Sequence, residues 1–301
     1  MGDRWALGLT GYPLSHSLSP QLHRAALDGL GLAGEYRLYP IPPLPEGSGA
    51  LEGLLQRLHA GQLDGLNVTI PHKQSVIRWL DELSPAAGTI GAVNTLLLRA
   101  GRLAGENTDA PGFLADLQRV AGPFLPHAAH ALVLGAGGSA RAITYALVQA
   151  GWQVTVAARR LAQAQALILQ VVGEREQASA TVLNPETLQH LPPDVTLVVN
   201  TTPLGMAPDV QATPWPEDIP FPAGAFVYDL VYNPAETRLV GAARKAGRPA
   251  ATGLGMLIEQ AARSFELWTG HRAPRQSMYA AVSNPYFFHS SASSPGREGQ
   301  T

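Results

Sequence analysis

Apolar and polar positions follow two alternating periods along the first hundred residues. Residues 5–12, WALGLTGY, are a short apolar run entering a turn and predict a strand. In SPQLHRAALDGLGL, Ser19 suits an N-cap, Pro20 the first helical position and a glycine the close, which predicts a helix. The alternation repeats in EYRLYPI (strand), GALEGLLQRLHA (helix, apolar at three and four spacing), LDGLNVTI (strand) and PHKQSVIRWLDEL, a helix opened by Pro71. Two short runs, VNTLLLR and RLAGEN, are joined by Ala100-Gly101 and predict a hairpin. A hairpin beside strand–helix repeats implies an α/β unit of mixed strand direction.

A second regime begins after a helix around 111–121 and the break GPFLPHAAH. The run ALVLGAGGSARAITYALVQAGWQVTVAAR reads strand, glycine-rich turn, helix, strand, a βαβ unit of the expected size. Buried-type runs TLVVN and AFVYDLVY follow, alternating with helical stretches such as ETRLVGAARKAG. This predicts a doubly wound nucleotide-binding domain over 112–252. The amphipathic GMLIEQAARSFELWTG comes after that sheet is complete, so it is expected to pack back on the first domain. The expected division is therefore 1–111 completed by helices in 253–285, then 112–252, with a Ser/Gly-rich tail, 286–301, expected to be disordered.

Composition narrows the class. A chain of 301 residues, 46% hydrophobic and 15% charged, suits two globular domains. No uninterrupted apolar stretch approaches the ~18–20 residues that span a bilayer, and MGDRWALGLTGYP reads as a strand rather than a signal peptide, so the expected location is the cytoplasm. With no cysteine, disulfides and thiolate chemistry are excluded. A net charge of -2 gives nucleic acid no broad basic face. The cations are nearly all arginine, and the only lysines are Lys73 and Lys245. Arginine keeps its proton whereas lysine can give one up, so a sparing lysine is a candidate for proton chemistry. Lys245, in AARKAGR, reads as a surface residue.

Gly135-Ala136-Gly137-Gly138-Ser139-Ala140 stands between a predicted strand and helix and fits the G-x-G-x-x-G/A fingerprint, whose small residues bring a helix amino end up to a pyrophosphate. A merely tight turn is the alternative. At the end of the next strand, where an NAD site places an acid, the chain reads Ala158-Arg159-Arg160. Two guanidiniums offer forked donors to a 2′-phosphate and point to NADP, although an arginine pair opening a helix is also open. Lys73 falls in the first turn of the helix expected from Pro71, where the dipole disfavours a cation. Asp109 is a candidate proton-transfer partner or a plain N-cap. Asn67, Thr69, Asn94 and Asn107 gather at strand ends and suit a small polyhydroxylated ring, though each alone is an ordinary turn residue. Gly11 to Pro20 offers hydroxyls and N–H groups at a helix start, a place for a carboxylate. His16 and His23 lack metal-ligand partners at zinc spacing and read as structural, so no metal is expected.

Taken in order, the HSxSP opening, NVTIPHK, AVNT, GENTD, GAGGSA, NTTPLGM, YDLVYNP and GLGMLIEQAA resemble the shikimate dehydrogenase family from Leu7 to about Pro285. The resemblance implies an N-terminal substrate domain with a mixed sheet, a Rossmann-type NADP domain, and an active site in the cleft between them. It implies reversible NADPH-dependent reduction of 3-dehydroshikimate to shikimate, in the shikimate pathway of aromatic amino acid biosynthesis. By resemblance Lys73 and Asp109 are catalytic. Ser17, Ser19 and Tyr232 hold the substrate carboxylate, and Asn67, Thr69, Asn94 and Gln260 its ring hydroxyls. Gly135, Ala136, Gly137, Gly138, Ser139, Arg159, Arg160, Thr202, Leu230, Gly253 and Met256 meet the cofactor. The implied partners are the small-molecule substrate alone, in a monomer or homodimer, with no nucleic acid or membrane. Arg24 stands where the family often has Asn, and Ala158 where Asn usually precedes the cofactor arginine. The rival readings are a quinate/shikimate dehydrogenase using NAD and a non-catalytic NADP-binding regulator.

Overall fold

Two separate six-stranded sheets divide the chain, each built where the sequence alternates strand and helix. The computed structural model describes residues 4–122, 129–173 and 176–282; the tail from 286, expected to be disordered, lies outside the described residues. The first stretch contains β1 (Trp5–Gly11), α1 (Ser19–Gly29), β2 (Gly34–Pro40), α2 (Ser48–His59), β3 (Gly65–Val68), a 3-10 helix (Ser75–Trp79), β4 (Glu82–Leu83), α3 (Pro85–Ile90), β5 (Thr95–Arg99) and β6 (Arg102–Glu106). Their sheet has the order β2-β1-β3-β5-β6-β4. β1 pairs parallel with β2 and β3, whereas β5 is antiparallel to β3 and β6, so the sheet is mixed. The β5–β6 hairpin turns on Ala100 and Gly101 at φ 49° and 76°, both left-handed as a primed two-residue turn requires.

α4 (Asp109–Ala121) then crosses to the second sheet: β7 (His130–Leu134), α5 (Gly138–Gln149), β8 (Gln153–Ala158), α6 (Leu161–Val171), β9 (Ala178–Val182), α7 (Pro185–Gln189), β10 (Val195–Asn200), β11 (Phe226–Asp229), α8 (Arg238–Lys245) and β12 (Ala250–Thr252). The order is β12-β11-β10-β7-β8-β9, parallel throughout. The chain winds outward one way from β7 and returns to wind the other way from β10, which is the doubly wound topology, with its switch point between β7 and β10.

α9 (Leu254–Thr269) and α10 (Arg275–Val282) complete the described chain. Ile258, Ala261, Ala262, Phe265, Trp268, Met278 and Val282 share a buried core with Leu7, Leu22, Ala26 and Leu97, so these helices return to the first sheet. The apolar stripe of α9 drives that return, while Met256 at its start reaches the core of the second sheet.

Three local readings are corrected. PHKQSVIRWLDEL is not one helix: 71–74 are turns, followed by the 3-10 helix and β4. Tertiary hydrogen bonds hold it open, with Lys73 O accepting from Val93 N–H at 2.7 Å and the buried His72 ring meeting Ile41 O at 2.8 Å. The helix dipole invoked for Lys73 is therefore not there. Ser19 is the first residue of α1 rather than its cap; Leu18 takes the cap position, and Ser17 Oγ accepts Ser19 N–H at 3.3 Å. Asp109 likewise opens α4 instead of capping it, while Asn107 Oδ1 accepts Ala110 N–H at 3.2 Å.

Candidate active site

Polar residues gather where β3 ends, β5 begins and α4 opens. Lys73 Nζ lies 2.6 Å from Asp109 Oδ2, with side chains 12% and 5% exposed, so the pair is nearly dehydrated. Asp109 sits in the first turn of α4, where the helix dipole favours an anion. Its second oxygen accepts from Asn94 Nδ2 at 3.0 Å, and the same amide reaches Gln260 Oε1 at 3.1 Å and Thr108 Oγ1 at 2.8 Å. Lys73, Asp109, Asn94 and Gln260, distant in sequence, thus form one connected group.

Asn67 stands next to it, equally engaged: Nδ2 approaches Asn94 O, Thr95 Oγ1 and Ser264 Oγ at 3.0–3.2 Å, while Oδ1 accepts from Tyr36 OH at 2.8 Å. Thr95, Thr108 and Ser264 hydroxyls lie within 2.7–3.3 Å of one another beneath it. Sequence reading missed Tyr36, Thr95, Thr108 and Ser264. For Ser264 a signal existed, since it lies four residues after Gln260 on the same helical face; for the others, local pattern gives none. Thr69 is half-buried at the end of β3, and among the described residues its hydroxyl has no partner. Tyr232, just beyond β11, lies near the Leu18 backbone and so beside Ser17 and Ser19; burial pushes its phenol pKa up and the nearby backbone N–H partly offsets the rise. A phenol, two serines and the amino end of α1 converge there, donors of the kind a carboxylate accepts.

The proposed cofactor residues all lie beyond the carboxyl ends of parallel strands. The turn 135–137 follows β7, Arg159 and Arg160 follow β8, Thr202 follows β10, Leu230 follows β11 and Gly253 follows β12. That is where doubly wound sheets bind nucleotides. The residues fit a dinucleotide. Gly135 adopts φ +113°, a Cβ on Gly137 would meet nothing within 4 Å, and the chain there leads into the amino end of α5. Both arginine side chains are exposed at the amino end of α6 without an ion pair or side-chain hydrogen bond among the described residues. Cations at the wrong end of a dipole gain most from an added phosphate. Thr202 Oγ1 donates to Asn200 Oδ1 at 2.7 Å, and Leu230 N–H to Asn200 O at 2.9 Å. Gly253 is bare because a Cβ would lie 2.3 Å from Leu230 O. Met256 is 6% exposed and packs into the core under the second sheet. Among the described residues no cluster of metal-ligating groups occurs and no helix is long and apolar enough to cross a membrane.

Known proteins share this fold. The shikimate dehydrogenase substrate binding domain matches residues 9–96, and the shikimate 5'-dehydrogenase C-terminal domain matches 253–282. The shikimate dehydrogenase (NADP(+)) of Symbiobacterium thermophilum is 41% identical over 283 residues, covering 92% of each chain. The crystal structure of shikimate 5-dehydrogenase from Thermus thermophilus in complex with NADP(H) and shikimate is 39% identical, with a TM-score of 0.78 over 92% of this chain and 98% of that one. Quinate dehydrogenase from Corynebacterium glutamicum in complex with NAD is 34% identical, with a TM-score of 0.81 over 93% and 99%.

Proposed function

The chain belongs to the shikimate dehydrogenase family, and from that premise we propose that it catalyses the reversible NADPH-dependent reduction of 3-dehydroshikimate to shikimate. The observation that carries the reading is the Lys73–Asp109 contact, 2.6 Å long and nearly buried, tied through Asn94 to Gln260. Lys73 donates a proton to the oxygen formed at C3, or stabilises its negative charge. Asp109 fixes the ammonium, and its own second oxygen is held by Asn94, so the pair stays in one geometry without water. Ser17, Ser19 and Tyr232 hold the substrate carboxylate; Thr69, Asn67, Asn94 and Gln260 take the ring hydroxyls. Gly135, Ala136, Gly137, Gly138 and Ser139 would hold the pyrophosphate, Arg159 and Arg160 the 2′-phosphate, and Thr202, Leu230, Gly253 and Met256 the nicotinamide end. When bound, NADPH supplies the hydride. Residues 1–111 with 253–285 act as the substrate-binding half and 112–252 as the cofactor half, in a cytoplasmic monomer or homodimer.

A quinate/shikimate dehydrogenase using NAD is the second reading, favoured by the likeness to quinate dehydrogenase. The missing acid after β8 speaks against it. Initial rates with shikimate or quinate, each with NADP or NAD, decide between them. Shikimate with NADP is expected to exceed every other pair by more than about tenfold in kcat/KM, or about 1.4 kcal/mol. Preference for quinate with NAD would overturn the proposal.

A further inference from the structure

Glycines in a nucleotide-binding turn are ordinarily explained by the nucleotide or by the backbone, and two of the three here accept one of those explanations. Gly135 is left-handed at φ +113°, and a Cβ on it would lie 2.6 Å from Thr201 Oγ1. Gly137 is bare toward open space, as close approach of a ligand requires. Gly138 differs from both. Its φ is not in the left-handed region, so the backbone accepts any residue. A Cβ there would instead meet the other half of the molecule, 3.2 Å from Lys73 Cβ, 3.4 Å from Lys73 Cδ and 3.7 Å from Ala92 Cβ.

The lysine is held at both ends. Its carbonyl holds Val93 N–H at 2.7 Å, its ammonium holds Asp109 at 2.6 Å, and the neighbouring Ala92 carbonyl holds Asn107 Nδ2 at 2.9 Å. α5 is pinned as well: Arg141, one turn into that helix, reaches Ile90 O at 3.4 Å at the end of α3 and Gln170 Oε1 at 2.7 Å. An added methyl group is therefore squeezed between two fixed walls, and the softest part within reach is the lysine side chain.

We propose that Gly138 is a positioning residue for Lys73: its bare Cα lets the lysine stem pass beneath the amino end of α5 so that Nζ reaches Asp109. Glycine is needed at 138 because of the lysine and not because of the nucleotide. The inference rests on the reading of Lys73 as the group that acts on substrate.

A double-mutant cycle on the full-length enzyme tests it. Gly138→Ala keeps the 138 N–H, and the gain in helix propensity offsets part of the cost of the squeeze, so the thermal midpoint should stay within about 4 °C of the parent. NADP affinity, followed by nucleotide fluorescence, should stay within about threefold, while turnover falls by about tenfold. In a Lys73→Ala background the same change should alter turnover by less than about twofold, because the group it acts through is gone. Turnover of Gly138→Ala near that of the parent, a loss carried by NADP affinity, or an equal loss with and without Lys73 would each overturn the proposal. The two readings fail differently. A Lys73→Ala enzyme keeping a tenth or more of its turnover removes the catalytic reading, whereas an inactive Lys73→Ala beside an unaffected Gly138→Ala removes only the role of Gly138.

Discussion

Lys73 is the residue whose surroundings define its work most narrowly. Its ammonium has Asp109 as ion-pair partner and a stem confined by Gly138, and the carboxylate it touches is held from the far side by Asn94. Lys73→Ala should lower turnover by about a hundredfold to ten-thousandfold, because the positive charge counts most as an alkoxide develops. Shikimate affinity should weaken far less, since the carboxylate is held at Ser17, Ser19 and Tyr232. Lys73→Arg should not rescue, as guanidinium keeps its proton and is too broad. Turnover at or above a tenth of the parent value for either variant contradicts this. His23 carries a second residue-scale expectation. Burial against Tyr36, with rings 4.2 Å apart and parallel to within 4°, pulls its pKa from 6.5 down to about 3. The unfolded chain therefore takes up a proton that the folded chain refuses, so this stability is complete above pH 6.5 and is lost as pH falls toward 3. Between pH 6.5 and 5 the loss should be about 2 kcal/mol. Asp229 acts oppositely: burial raises its pKa from 3.8 to about 6, so its contribution is lost as pH rises through 6. Comparing urea unfolding of the parent and His23→Phe at about pH 7 and about pH 5 cancels Asp229, and an unchanged difference between the two pH values would rule out the His23 account.

α4 and α9 form the element pair on which the site depends. A Cβ on Gly112 of α4 would lie 2.9 Å from Gln260 Cβ, and one on Gly255 of α9 would lie 1.9 Å from Asp116 Oδ1. Position 112 is thus level with 260 and 116 with 255, so the helices run antiparallel, each yielding a glycine to the other. Glycine inside a helix costs about 1 kcal/mol relative to alanine, and here the close approach offsets it. Asp116 is fully buried, accepting from Tyr228 OH at 2.5 Å and from Arg119 Nη2 at 2.6 Å, which ties α4 to β11. The same α4 presents Asp109, and the same α9 presents Gln260. Gly255→Ala should therefore destabilise by about 3 kcal/mol, since no flexible neighbour can yield. The check is the thermal midpoint; a value within about 1 °C of the parent would mean that the helices separate without cost.

At the scale of the whole molecule, the two sheets touch at few places. The chain crosses between them at α4 and again at Gly253. Besides the α4–α9 pairing, the halves meet where Ile90, Ala92 and Met256 join the core of the second sheet, through Arg141 on Ile90 O, through Gly138 against Lys73, and where Tyr232 nears the Leu18 backbone. The last two are contacts of the proposed site, so opening the cleft would release substrate groups and catalytic groups together. Crystal structures with and without shikimate and NADP are expected to differ by a rotation of one half against the other, hinged near 110 and 253. Superimposable clefts in the two states would count against this. Neither a stability change nor a single substitution reports on such a motion.

Residue order alone determined what neighbouring residues decide among themselves. The two periods of apolar residues set out a mixed α/β sheet and a doubly wound one, Ala100-Gly101 specified a hairpin turn, and the glycine-rich run between strand and helix marked the nucleotide turn. The scarcity of lysine singled out Lys73, because residue choice alone carries that signal. Packing decided the rest. Lys73 lies in a turn rather than a helix because Val93 and Ile41 compete for the backbone and side chain of its segment. Asp109 faces Lys73 and Asn94 instead of capping α4, a choice its own neighbours leave open. Tyr36, Thr95 and Thr108 entered the site unannounced, since a bond such as Tyr36 to Asn67 joins residues 31 apart. Turn chemistry and periodicity act over a few residues, whereas a buried hydrogen-bond network exists only once distant elements have packed and every donor must find an acceptor.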